Sequence, residues 1–235
     1  GAAIAVALLA GAAVGGTMGV LIHAFELPPF MVTLAGMFAM RAAAFIVHPQ
    51  NIAIDSPAFI ALARSLDFTF AGIPFSIRSI LLLLVVLTGA IVLTLRPFGR
   101  AALALGSNEK AARAMALPVA RTKIGVYVLA GTCSALAGIV FAMYRRAGDP
   151  ASNIGLELDV IAAVVIGGTL LTGGVGTVAG SLIGVLILGL IRTLIDFQGT
   201  LDAAWTSIAT ALLLALFLGM HALLRRFRRR TVTPR

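Results

Sequence analysis

Between Asp159 and Arg192 the chain runs for 32 residues, Val160 to Ile191, without a charged side chain. A bilayer-spanning helix needs about 20 mostly apolar residues, so this stretch is too long for one span and too short for two full ones. Gly167-Gly168 and Gly173-Gly174-Val175-Gly176 interrupt it, and consecutive glycines weaken a helix. The pattern predicts two shortened helices, about 160–172 and 176–191, around a glycine-rich turn. Non-helical backbone at membrane depth is tolerated only where it is buried in protein or lines a cavity. Gly167, Gly168, Gly173, Gly174 and Gly176 are therefore expected to form a hinge or gate.

Other charge-poor runs repeat along the chain, at about 1–25, 27–47, 79–95, 124–144 and 203–224. The second opens on Pro28-Pro29, which a helix accepts in its first turn, and it contains Arg41. Apolar residues make up 60% of the chain and charged residues 11%, against about 45–50% and about 25% in a soluble domain. These values exclude an ordinary soluble enzyme. The expected fold is an all-α polytopic membrane protein, a single transmembrane domain over 1–235 with about six transmembrane segments. Gly1–Phe25 has neither an initiator Met nor a basic leading segment, so the sequence is expected to be truncated at its N-terminus, with further spans upstream.

The 18 Lys+Arg exceed the 9 Asp+Glu, and their location explains the excess without nucleic acid. With the basic tail, 225–235, placed in the cytoplasm, alternation puts the 97–121 loop on the same side. Twelve basic residues then lie inside and five outside, the asymmetry that the positive-inside rule requires. The tail reads as a stop signal with some attraction to anionic membrane lipids.

No phosphate-binding G-x-x-x-x-G-K-[ST], H-E-x-x-H, G-x-S-x-G or Cys/His cluster is present. No catalytic residue, metal site or bound cofactor is expected, and uphill transport would draw on an ion gradient or on a separate ATPase. The acids Glu26, Glu157, Asp159, Asp196 and Asp202 fall at span edges, which leaves Arg41 as the clearly intramembrane charge. An arginine at depth faces the bundle interior or a polar path, so Arg41 either ties neighbouring spans together or, with Thr169, is a candidate for the translocation path.

In the cytoplasmic loop, Asn108 can cap a helix that opens on Glu109, and Pro118 disfavours helical geometry at Leu117. A short helix over about 109–116 is expected. Its Ala111, Ala112 and Met115 share one small apolar face able to enter a groove on a cytosolic partner. Gly11-x-x-x-Gly15-x-x-x-Gly19 and Gly176-x-x-x-Gly180-x-x-x-Gly184 are expected to let helix backbones approach closely in lipid.

The run from Gly155 to Gly180, GLELDVIAAVVIGGTLLTGGVGTVAG, resembles the signature of the ribose-type sugar ABC-importer permeases. Phe98-Gly99-Arg100, Ala104-Leu105-Gly106-Ser107-Asn108 and Ala111-Ala112 are similar to that family's loop toward the ATPase, and Pro29 to Met37 is similar to an earlier span. Within the family, Leu34-Ala-Gly-Met-Phe, Gly168-Thr-Leu-Leu and Asp196-Phe-Gln-Gly-Thr-Leu201 most resemble permeases of the galactofuranose-importer type.

The resemblance implies a multi-pass subunit of the bacterial inner membrane. It implies pairing with a second permease, identical or paralogous, with a cytosolic ATPase dimer that uses ATP and Mg, and with a periplasmic sugar-binding protein. It places Asn108, Glu109, Ala111, Ala112 and Met115 on the helix that couples to the ATPase. The family usually has glycine where Ala116 stands. An ion-coupled carrier or channel is the alternative function, and a membrane enzyme or scaffold a further class.

Overall fold

A computed structural model describes residues 2–57, 59, 61, 68–70, 73–198 and eight positions between 205 and 219. The helices with assigned bounds are α1 (Ala2–Ala24), α2 (Pro29–Val47), α3 (Ile77–Leu95), α4 (Pro97–Ser107), α5 (Glu109–Ala114), α6 (Val119–Arg145), α7 (Leu156–Ile166) and α8 (Val178–Gln198). Five of the described helices are long and apolar enough to cross a bilayer: α1, α2, α3, α6 and α8. The fold is all-helical and multi-pass. It is accompanied by two small antiparallel ladders, β1 (Ile52–Ala53) with β4 (Ala147–Gly148) and β2 (Phe68–Phe70) with β3 (Ile73–Phe75). Of the expected span 203–224, eight positions are described, from Trp205 to Gly219, and all are helical; its other residues and the basic tail lie outside the described residues.

The chain forms two compact units, one of residues 1–87 and 109–152, the other of 88–108 and 153–235. In the first, α1 and α6 make the most extensive interhelical contact among the described elements. A Cβ on Gly11 would lie 2.5 Å from the carbonyl oxygen of Gly131, and one on Gly15 would meet the carbonyl oxygen of Tyr127. Gly19 faces the Ile124 Cα at 3.0 Å by the same measure. The glycine stripe thus replaces side chains with backbone-to-backbone approach, the form of packing available where lipid supplies no hydrophobic drive.

At 27 residues α6 is about 40 Å long and exceeds the ~30 Å hydrocarbon core. Its ends therefore reach the interfaces. Beyond its Arg145 end, β4 pairs with β1, and the Ile54 amide donates to the Arg146 carbonyl at 2.9 Å, which ties the segment after α2 to the segment after α6. The Arg78 guanidinium lies 5.3 Å from the Tyr144 ring centroid.

In the second unit α7 and α8 pack around Ala162, Ala163, Ile166 and Leu188, with Leu213 against them. The α7 helix stops at Ile166 rather than at the expected residue 172. The Gly168 amide donates to Val165 O and the Thr169 amide to Val164 O, while Gly168 takes φ +85°; this paired capping with a left-handed residue ends a helix. The α8 helix starts at Val178 rather than 176 because Thr177 caps it, its Oγ1 accepting from the Gly180 amide at 3.1 Å. Gly176 accordingly lies before the helix, and only Gly180 and Gly184 of that stripe pack within it, against Gly167 and Ala163. At the opposite end of this helical hairpin, Arg192 donates to Asp159.

A backbone carbonyl cannot yield as a side chain tip can, so Gly15→Ala is expected to lower stability by about 1–3 kcal/mol. Gly138 has open space where a Cβ would lie, and Gly138→Ala is expected to change stability by less than about 1 kcal/mol. Thermal unfolding of the two variants in detergent checks the contrast.

Candidate functional site

The short helix α5 is fixed to its own unit by charge. Glu109 accepts from the Arg113 guanidinium at 2.8 Å, a helical i,i+4 pair, and from Lys123 Nζ at 3.0 and 3.1 Å across to the first turns of α6. Arg113 also stands 3.9 Å from Glu26, in the turn between α1 and α2. Two carboxylates and two cations therefore join three segments of the chain. Hydrogen bonds from Arg113 and then Lys123 hold the Glu109 carboxyl below its ordinary value of 4.5.

The end of α5 has a definite geometry. The Leu117 amide donates to Ala112 O at 3.2 Å and the Ala116 amide to Arg113 O at 3.0 Å, with Ala116 at φ +54°. These two bonds around a left-handed residue form a Schellman cap, and alanine holds the position that favours glycine. The turn keeps its form with the Cβ present.

Ala112 is fully buried, whereas Ala111 and Met115 are exposed. The expected three-residue face is therefore split: Ala112 packs into the fold, and Ala111 and Met115 remain outward with Lys110 and Ala114. Glu109 serves as the tether rather than as outward surface. Asn108 is the only residue between α4 and α5, and its backbone amide caps α4 by donating to Ala104 O at 3.1 Å.

In the second unit, the end of α4 packs against the glycine turn. A Cβ on Gly106 would lie 2.8 Å from the Gly174 nitrogen, and one on Gly173 would lie 2.7 Å from Gly106 O. Gly173 and Gly174 both have positive φ, +86° and +81°. The turn is closed by the Gly173 amide to Leu170 O at 2.9 Å and the Leu170 amide to Val175 O at 3.0 Å. Thr169 lies against Gly176, 2.9 Å from the Cβ a side chain there would have. Leu103, Thr169, Leu170, Gly173, Gly176 and Ser181 are among the residues that line a cavity of 330 Å³. Gly167 and Gly168 stand at the end of α7, so the five glycines form one segment. Arg41 belongs to the other unit, 12 residues along α2 from Pro29 and about 18 Å down the helix.

Sequence reasoning missed α4, although Arg96-Pro97 with an alanine-rich run behind it is a helix start. It also missed the reach of Glu109 to Lys123, a pairing between residues 14 apart that no local rule contains.

Two expectations follow. Because the Glu109 pKa is lowered on folding, its contribution is complete above 4.5 and is lost as pH falls through the lowered value. Thermal midpoints measured against pH should separate the wild type from Glu109→Gln at neutral pH and converge in acid. Ala116→Gly relieves a left-handed alanine and is expected to stabilise by about 1 kcal/mol, read by thermal unfolding.

The inner membrane ABC transporter permease protein YjfF of Escherichia coli is 42% identical to the chain over 214 residues, covering 91% of the chain and 65% of that protein. The L-arabinose ABC transporter permease protein AraH of Azospirillum brasilense is 42% identical over 190 residues, 80% of the chain and 55% of that protein. The ribose import permease protein RbsC of Bacillus subtilis is 37% identical over 187 residues, 77% and 56% respectively. The chain thus spans less than two thirds of the length of each of these relatives. No solved structure matches it. The family model described as branched-chain amino acid transport system / permease component matches residues 2–220, nearly the full length of the chain, and to that family the chain belongs.

Proposed function

We propose that the chain is the membrane-spanning part of a permease subunit in an ATP-driven importer of a small sugar, with galactofuranose the leading candidate. The observation that carries this reading is α5: a short helix between membrane-crossing segments, held by Glu109, Arg113 and Lys123, with Ala111 and Met115 outward. A helix that transmits force needs a firm mount and an exposed face, and this one has both. The names of the relatives supply the substrate class, since arabinose and ribose are monosaccharides. The galactofuranose assignment rests on the motifs at Leu34, Gly168 and Asp196 given above.

In this reading the subunit performs no catalysis, and ATP with Mg is consumed by a separate cytosolic ATPase dimer. A periplasmic binding protein delivers the sugar, and a second permease subunit completes the path. The protein lies in the inner membrane with its C-terminus in the cytoplasm. The glycine segment from Gly167 to Gly176 acts as the gate, its turn resting on Gly106 of α4, while Thr169 and Arg41 line parts of the path. Asn108 links α4 to α5.

The test is capture of the cytosolic ATPase by the full-length permease in detergent. Ala111→Glu with Met115→Glu places two carboxylates on exposed positions, leaving the fold intact, and is expected to reduce capture more than tenfold, as unpaired charge buried at an interface does. Unchanged capture would overturn the role of α5, and capture by neither protein would return the ion-coupled carrier.

A further inference from the structure

Between α1 and α2 runs a groove of 570 Å³, lined by Met18, Leu21, Met31, Gly36 and Met40 among others. Its polar groups are already satisfied: the Thr17 hydroxyl donates to Val14 O, and the Thr33 hydroxyl near it to Pro29 O and Phe30 O. The surface offered is therefore apolar. On α2 the lining extends from Met31 to Met40, a rise of about 14 Å, close to half of the ~30 Å hydrocarbon thickness. That is the depth of one leaflet.

At its foot lies a second cavity, of 470 Å³, which shares Leu27 and Pro28 with the groove as lining residues. The charged residues of this second cavity are Glu26, Glu109, Lys110, Arg113 and Lys123, three cations against two carboxylates. Glu109 is held by Arg113 and Lys123, and Glu26 stands near Arg113. The Lys110 side chain makes no hydrogen bond or ion pair among the described residues, so a net positive charge remains beside an apolar slot of leaflet depth. Methionine side chains adapt to irregular apolar partners, and at Gly36 the absent Cβ makes room for the Met18 methyl.

We propose that the α1–α2 groove and the basic cavity at its foot seat one anionic phospholipid, an acyl chain lying along Met18, Met31 and Gly36 and the phosphate beside Lys110 and Arg113. The complementarity is double, apolar depth for the chain and net positive charge for the headgroup. A basic pocket at the base of membrane helices is a recognised form of anionic-lipid site. A second protein helix in the groove would leave the charge at the foot unused.

The experiment uses the full-length protein, delipidated in mild detergent. Native mass spectrometry counts retained lipid, and thermal unfolding reads protection by phosphatidylglycerol, phosphatidylcholine, glycerophosphoglycerol without acyl chains, and inorganic phosphate. One phosphatidylglycerol is expected to be retained over phosphatidylcholine, with little protection by the two acyl-free probes. Lys110→Gln is expected to weaken phosphatidylglycerol about fivefold, and Ala39→Trp, which fills the groove, to abolish retention of both lipids. Equal retention of the two lipids, undiminished binding in Lys110→Gln, or full protection by glycerophosphoglycerol or phosphate would overturn the proposal. A disulfide linking two copies through Met31→Cys across a lipid-free groove would do the same. Should Ala39→Trp fail to fold, Lys110→Gln at its exposed position decides alone.

Discussion

Removal of side chains between α1 and α6 is the condition on which the first unit rests. In lipid, an apolar residue gains nothing by turning from acyl chains to another helix, so association depends on close approach and on van der Waals complementarity. Gly11, Gly15 and Gly19 on one helix and Gly131 on the other bring carbonyls and α-carbons to distances that a methyl group would forbid. With that seam in place, the first turns of α6 stand where Lys123 can reach Glu109. The tether of α5 is thus a consequence of packing well inside the bilayer.

The second unit follows another logic. Its α7 is 11 residues long, about 16 Å and about half of the hydrocarbon depth, and the backbone that follows must meet its hydrogen bonds without a helix. It does so by a capped end at Gly168, a closed turn through Leu170, Gly173 and Val175, and a threonine cap on α8. The pair Asp159 and Arg192 closes the other end of the hairpin.

Much of this was legible in the sequence. Charge-free length located the five described helices that are long and apolar enough to cross a bilayer, because a buried charge in lipid is expensive, and the spacing of Gly11, Gly15 and Gly19 announced a close helix contact. Asn108, Glu109 and Pro118 bounded α5. The residues that failed to declare themselves depend on distant neighbours: Ala112 differs from Ala111 only in what packs over it, and Lys123 became a partner of Glu109 only through the fold. The end of α7 was misplaced by six residues because the first glycine pair terminates the helix by its left-handed cap, leaving the second pair to shape the turn. The ladder between β1 and β4 joins residues almost 100 positions apart, beyond any local pattern.

That ladder, small as it is, changes the mechanics of the first unit. One end of α6 is bound through β4 to the segment leaving α2, and the other end is bound through Lys123 and Glu109 to α5, whose Arg113 faces the α1–α2 turn at Glu26. A beam fastened at both ends resists shear along its length. Within this unit the two ends of α6 are therefore held by contacts of different kinds, a backbone ladder at one and ion pairs at the other.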